Sequence, residues 1–264
     1  MRDPYIEKMS GKVERQMEKH VYRFADHTVE INSLHPYVHR MCGDYRTEDS
    51  PELFLSVSQS DIDDERRRSA EEALAGSARD RSGSDAYLET LAVYRKIAEG
   101  LIEDGVLLFH GSAVAVDGAC YLFAAKSGTG KSTHARLWRE LLGQRAVMVN
   151  DDKPLLKISG AGVTVYGTPW DGKHHLSRNI SVPLRAVCIL ERGTVNSIGP
   201  ISAKEAWPLL WRQSYRPSDP EKLKRTMVMT DTLSKTVRLY RLRCTPDIQA
   251  ARLAYETMRK GASL

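Results

Sequence analysis

Eight consecutive residues, Ala125-Lys126-Ser127-Gly128-Thr129-Gly130-Lys131-Ser132, follow the P-loop spacing G-x-x-x-x-G-K-[ST], with Ala125 in place of the first glycine. Gly128 and Gly130 let the backbone turn tightly, so that successive amides face inward as a nest for phosphate oxygens. A helix starting at the end of the loop adds its positive N-terminus. In this geometry Lys131 reaches the β- and γ-phosphates, and the Ser132 hydroxyl ligates Mg²⁺. The nucleotide-binding residues expected from this spacing are Ser127, Gly128, Thr129, Gly130, Lys131, Ser132 and Thr133.

Two carboxylates stand further along the chain. Asp151 and Asp152 follow the apolar run 146–149 and Asn150. A carboxylate at the end of a buried strand can reach a metal held by the loop serine. A second one beside it can take a proton from an attacking hydroxyl. The reading adopted makes Asp151 the base and Asp152, with Ser132, the metal partner, an order that adjacency alone does not fix. Residues 167–175 combine polar, aromatic and turn-forming types, as functional loops do. Lys173 in this loop can neutralise a transferring phosphoryl group. His174 and His175 are neighbours and lack the i, i+4 spacing of a helical metal pair. Trp170 reads as a plug at the edge of the core.

The elements around these residues are legible. Residues 121–124 read as a strand. Residues 132–142 read as a helix with Ala135, Trp138, Leu141 and Leu142 on one face, stopped by Gly143. Asp117-Gly118 between two apolar runs signals a hairpin. The strand that feeds the loop is then antiparallel to its predecessor, unlike the parallel crossovers of a doubly wound fold. A second hairpin is expected over 155–166, through Ser159-Gly160-Ala161-Gly162. Further strands are expected at 22–31, 51–57, 106–109, 186–190 and 237–242. Helices are expected at 34–45, 87–103, 220–233 and 247–259. Ser202 and Glu205 form a capping box for another helix, which Pro208 should kink or restart. The triplet Arg66-Arg67-Arg68 reads as an exposed helical face.

The chain has 264 residues, 41% hydrophobic, and a net charge of +5. Residues 1–100 carry 15 Lys/Arg against 20 Asp/Glu, a balance of −5, and residues 101–264 carry 24 against 14, a balance of +10. A basic catalytic half suits nucleotide phosphates or an acidic substrate, and it also raises the question of nucleic acid. The aromatic interleaving of a base-stacking surface is missing, which argues against nucleic acid. No apolar run approaches the length of a membrane span. The N-terminus lacks the apolar centre of a signal peptide. Cys42, Cys120, Cys188 and Cys244 form no C-x-x-C pair, so neither a zinc site nor a disulfide framework is expected. The expected compartment is the cytoplasm. Residues 75–86 are rich in Gly and Ser and read as a linker. The fold class expected is therefore α/β with a mixed sheet, in two parts: a small α+β domain over 1–82 and a larger one over 83–264.

The run His110-Gly111-Ser112-Ala113-Val114, the hairpin, residues 127–132 and Asn150-Asp151-Asp152 together resemble HPr kinase/phosphorylase. The closer likeness is to HPr-kinase-like serine kinases of the phosphoenolpyruvate-carboxykinase-type P-loop fold. The resemblance covers residues 106–193. It implies ATP-dependent transfer to a serine hydroxyl with Mg²⁺, with His110 near the reacting phosphate and one of the two Asp residues as base. The chain departs from true HPr kinases at Thr133, where a Glu is common, and in its N-terminal part. Relatives of this kind look like kinases of small peptides, which implies a serine on a peptide or small protein as acceptor. The catalytic residues expected are thus Asp151, Lys131, His110 and Lys173. The rival reading is a nucleotide-gated binding protein or ATPase that passes no phosphate to an acceptor. The residues leave open whether the chain forms a homo-oligomer.

Lys131→Ala removes the point charge on the phosphates. It is expected to weaken ATP binding and abolish transfer. Titration of the variant with ATP, together with a turnover assay, checks this, and parent-like values in both would refute the loop reading.

Overall fold

The computed structural model describes residues 18–74, 83–172 and 174–260. The charged segment 1–17, residues 75–82 of the expected linker, Lys173 and residues 261–264 lie outside the described residues. Among the described residues the chain is a mixed α/β protein with seven α-helices, one three-stranded sheet and one nine-stranded sheet.

The small sheet departs from expectation at its first strand. Residues 22–31 form a hairpin rather than one strand: β1 (Glu18–Phe24) pairs antiparallel with β2 (His27–Ser33). Ala25 and Asp26 make the turn with φ of 50° and 70°. A pair of left-handed residues normally calls for Asn-Gly or Asp-Gly, so Ala-Asp gives no turn signal in the sequence. β3 (Leu53–Ser56) adds to β2 in parallel. The helix expected over 34–45 is a short α1 (Tyr37–Met41) followed by a 3₁₀ turn over Gly43–Tyr45. α2 (Gln59–Leu74) and α3 (Asp85–Gly100) are joined by the ion pairs Arg95–Glu65 at 2.7 Å and Lys96–Asp61 at 3.0 Å. The arginine triplet lies exposed on α2, with Arg66 paired to Asp85 and Arg67 to Asp64. α3 is anchored to the sheet by Glu89, a fully buried carboxylate that accepts the amides of Leu34 and His35 at 2.5 and 2.9 Å.

The large sheet contains β4 (Val106–Leu108), β5 (Ser112–Val116), β6 (Ala119–Ala124), β7 (Ala146–Asn150), β8 (Leu155–Ser159), β9 (Gly162–Tyr166), β10 (Ser181–Arg192), β11 (Ser197–Pro200) and β12 (Arg238–Cys244). Its order is β4-β8-β9-β10-β6-β5-β7, with β12 also on β10 and β11 beyond β12. The two hairpins read from sequence are present. β5 pairs antiparallel with β6 through Asp117-Gly118, and β8 with β9. β10 joins two arrangements. Its first residues pair antiparallel with β9, and the rest runs parallel to both β6 and β12.

Helices cover both faces of the β12-β10-β6-β5 region. α4 (Lys131–Leu142) and α7 (Ile248–Lys260) lie on one side, and α5 (Ala203–Gln213) and α6 (Pro220–Thr236) on the other. The two-residue period of a strand assigns side chains to the layers. In β6, Tyr121 and Phe123 pack with Trp138 and Ala251, while Cys120, Leu122 and Ala124 pack with Ala206 and Leu233. Such a strand is apolar on both faces, as β6 reads in the sequence. The capping box of α5 is formed, but Pro208 does not restart the helix, which runs on to Gln213. No described helix is long and apolar enough to cross a membrane.

Trp170 links the small sheet to the large one. It is buried, its ring lies 5.6 Å from Phe24 and 6.0 Å from Tyr94, and its Nε1 donates to the Thr90 carbonyl at 2.9 Å. It is the core-edge plug expected from sequence. Trp170→Ala should destabilise the protein by about 3–5 kcal/mol, the usual cost of emptying a site of this size. Denaturant unfolding of parent and variant measures that loss, and a change below about 1 kcal/mol would show that the ring is not an anchor.

Candidate functional site

The glycine loop connects the end of β6 to the start of α4. Gly128 and Gly130 have φ of 76° and 117°, a region that side chains with a Cβ rarely adopt. The Thr129 amide donates to the Lys126 carbonyl at 3.2 Å and closes the turn. Gly130 is the N-cap of α4 and offers no side chain to the first amides of the helix, so those amides keep their capacity for an anion. Arg192, at the end of β10, donates to the Gly128 carbonyl at 2.7 Å and holds the loop from the neighbouring strand. Two clefts flank the loop. One of about 410 Å³ includes Lys126, Thr129 and Arg192, and one of about 400 Å³ includes Gly130, Thr133 and His134. Ser127 is exposed at the tip.

Lys131 opens α4 and is buried, with Nζ donating to the Ala125 carbonyl at 3.3 Å. Burial pushes its ammonium below the ordinary lysine value, and the charges of Asp152 and Asp151 pull it back. A phosphate group bound here would add to that pull.

The acidic pair sits where β7 ends. Asp151 is buried and accepts the Ser112 hydroxyl at 2.6 Å. The Ser132 hydroxyl lies close enough to the same carboxylate to stabilise its charge. Burial pushes the Asp151 carboxyl above the usual carboxylate range. The charge of Asp152 adds to that, while the Ser112 and Ser132 hydroxyls and His174 oppose it. Gly172 packs so closely that a Cβ there would lie 3.0 Å from Asp151 Oδ2. Asp152 turns another way. It pairs with His110 Nε2 at 3.2 Å and with Lys153 Nζ at 3.6 Å. Its carbonyl accepts the Gly111 amide at 3.2 Å, and the His110 amide donates to the Gln213 carbonyl at 2.8 Å. The link between β4 and β5 is thereby tied to the acidic turn.

Lys131, Ser132, Asp151, Asp152 and His110 therefore converge. Ser132 acts on Asp151, the carboxylate read from sequence as the base. Thr133 faces the cleft on the far side of the loop. His175 pairs with Asp171 at 2.9 Å, and among the described residues no group of three or more His, Cys, Asp or Glu is arranged to hold a metal ion. Sequence reading missed three contributors. Ser112 was hidden at the head of an apolar strand. Arg192 follows a parallel strand beside β6, and strand C-termini in such sheets are where ligands bind. His134 lies inside α4 and gave no signal.

Fold and site together define a mixed α/β protein whose glycine loop and acidic pair meet at neighbouring strand ends. The family model for SynChlorMet cassette protein ScmC matches residues 85–248, and the chain belongs to that family. No curated protein matches it. Among solved structures, the Hpr(Ser) kinase/phosphatase from Coxiella burnetii is similar over 58% of this chain and 91% of its own, at 11% identity and a TM-score of 0.33. A likeness of that size carries no argument about this chain.

His134 is buried behind the loop, and its Nε2 accepts Trp138 Nε1 at 3.1 Å. Burial lowers its pKa from 6.5 to about 4. Between those values the unfolded chain binds the proton and the folded one does not, so stability falls as pH drops from 6.5 towards 4. The loss is about 3 kcal/mol. His134→Gln keeps an acceptor for Trp138 but cannot titrate. Urea unfolding of both proteins across this range should show a steeper pH slope in the parent, and identical slopes would contradict the assignment.

Proposed function

We propose that the protein is an ATP-dependent kinase that passes the γ-phosphoryl group to a hydroxyl, with a serine of a peptide or small protein as acceptor. The observation that carries this reading is the division between the two carboxylates. Asp151 is buried and accepts the Ser112 hydroxyl, with the Ser132 hydroxyl close enough to stabilise its charge, and Asp152 is paired with His110. This division supports assigning a cation to one carboxylate and a proton to the other.

The loop amides, the N-terminus of α4 and Lys131 bind and orient the β- and γ-phosphates. Arg192 holds the loop in that shape through the Gly128 carbonyl. Ser132 and Asp151 offer the hard oxygen donors that suit Mg²⁺, and a buried carboxylate is best answered by a cation. Magnesium, when bound, supplies neutralisation of charge on the phosphate oxygens. This assignment reverses the order expected from sequence, in which Asp152 is the metal partner and Asp151 the base. Asp152, with His110 beside it, takes the proton of the acceptor hydroxyl. That oxygen bonds to the γ-phosphorus as the bond to the β–γ bridging oxygen breaks, and ADP leaves. On this reading Lys173, which lies outside the described residues, keeps its expected role of neutralising the transferring phosphoryl group.

Asp152→Asn should slow transfer by roughly 10²- to 10⁴-fold, the usual contribution of a general base, with MgATP affinity little changed. Asp151→Asn should instead raise the magnesium requirement and weaken MgATP binding. Transfer assays with labelled γ-phosphate and MgATP titrations separate the two. Parent-rate transfer by Asp152→Asn would overturn its assignment as base. A parent protein that binds MgATP but labels no peptide would favour a nucleotide-gated binding protein.

A further inference from the structure

The acceptor's chemistry is written in charges that the transfer step does not use. The 410 Å³ cleft beside the glycine loop is lined by Lys126, Arg192, Arg212 and Arg241 against Glu191 and Glu205. Most of this charge is already answered. Arg241 pairs with Glu191 at 3.1 Å and Glu205 at 3.8 Å, and Arg192 is engaged by the loop carbonyl. A second cleft of about 250 Å³ is lined by Arg95, His110, Lys153, Arg212 and Arg216, with no Asp or Glu among its lining residues. In it, Arg95 is answered by Glu65 and Lys153 by Asp152. Arg212 and Arg216 are exposed and make no ion pair or hydrogen bond with a side-chain partner among the described residues.

Arg212 lines both clefts. It sits in the last turn of α5, and Arg216 follows a few residues beyond the helix end. Arg212 therefore borders both clefts: one cleft reaches the glycine loop and the other reaches His110, the partner of Asp152. An acceptor hydroxyl that approaches Asp152 through the second cleft passes Arg212 and Arg216.

We infer that the acceptor is an acidic peptide segment, a serine flanked by Asp or Glu, whose carboxylates pair with Arg212 and Arg216. This rests on the kinase reading. The groove fits carboxylates better than a nucleic acid, because its aromatic residues are committed. Phe109 is fully buried, Tyr94 is buried, and Tyr215 donates to Glu99 at 2.6 Å with Arg95 lying over its ring. None of them presents a free face on which a base could stack.

The test uses the full chain, its Arg212→Ala and Arg216→Ala variants and the double variant, with synthetic serine peptides of equal length. The flanks are Asp/Glu, Asn/Gln or Lys, on either side of the serine. Peptide binding is measured by fluorescence anisotropy, and transfer by label from γ-phosphate. The parent should prefer acidic peptides. The double variant should lose on the order of tenfold in kcat/KM for them, with MgATP affinity and neutral-peptide transfer unchanged. Raising salt should erase the preference. Arg212→Glu should shift preference towards the Lys-flanked peptide.

Equal transfer to all flanks by the parent would overturn the acidic acceptor and leave the kinase reading standing. Arginine-dependent binding of acidic peptides without transfer would do the reverse. Loss of MgATP affinity in the double variant would assign these charges to the nucleotide and overturn the inference. So would a single-stranded oligonucleotide that displaces the peptide more strongly than an acidic peptide of equal charge.

Discussion

The side chain of Asn150 is fully buried, and both ends of its amide are satisfied. Nδ2 donates to the carbonyl and the hydroxyl of Thr168, each at 3.0 Å, and Oδ1 accepts the amides of Asp152 and Lys153 at 2.8 and 2.6 Å. The Thr168 hydroxyl passes on to the Lys153 carbonyl at 2.8 Å. A buried amide with all its partners resists rotation, because any other pose strands a polar atom away from water. The consequence is geometric. The turn that carries the two carboxylates cannot move independently of the loop that carries Thr168, Trp170 and Gly172. Asp151 is then fixed between Ser112 on one side and Gly172 on the other.

That constraint reaches the small sheet first through the Trp170 ring. Trp170, two residues beyond Thr168, is held by Phe24, Tyr94 and the Thr90 carbonyl. The turn of the β1–β2 hairpin makes a second link, where Asp26 accepts both Lys157 Nζ and the Tyr166 hydroxyl. The small sheet is thus part of what fixes the acidic turn. Its packing is apolar and aromatic, so it stiffens the site without adding charge to it. The glycine loop is braced from the opposite side by Arg192, which comes from the strand parallel to β6.

The site was more legible in the sequence than its surroundings. The loop, both hairpins of the large sheet, α4 and the strand ending at Asn150 follow from local signals: glycine spacing, Asp-Gly, an apolar stripe and an apolar run. Each is a property of a few adjacent residues. What escaped depends on contacts between distant residues. Ala25 and Asp26 hold left-handed turn conformations that only the pairing of β1 with β2 enforces. β10 is longer than its apolar run because Ser181, Val182 and Pro183 pair with β9, and β11 (Ser197–Pro200) has no alternation and exists by pairing with β12. Ser112 gained its importance from Asp151, which is remote in sequence but adjacent across β5 and β7. The order of the two carboxylates was not readable, since adjacency says nothing about which way each side chain turns.

The way they turn answers an electrostatic problem. Two ionised carboxylates on consecutive residues raise each other's pKa unless other groups absorb their fields. Asp152 has the Lys153 ammonium and the His110 imidazole beside it. Asp151 has mainly hydroxyls, which stabilise a charge less than a cation does, and its carboxyl is accordingly pushed up. Lys131 lies in the field of both, though its own burial weakens it as a counter-charge. On the kinase reading, polyphosphate on the glycine loop would add further negative charge to this group, which Lys131 alone would not balance. The deficit is then largest beside Asp151 and Ser132, where oxygen donors already face each other. On that reading the nucleotide and the cation favour one another's binding, and the Asp152–His110 pair is left to handle the proton.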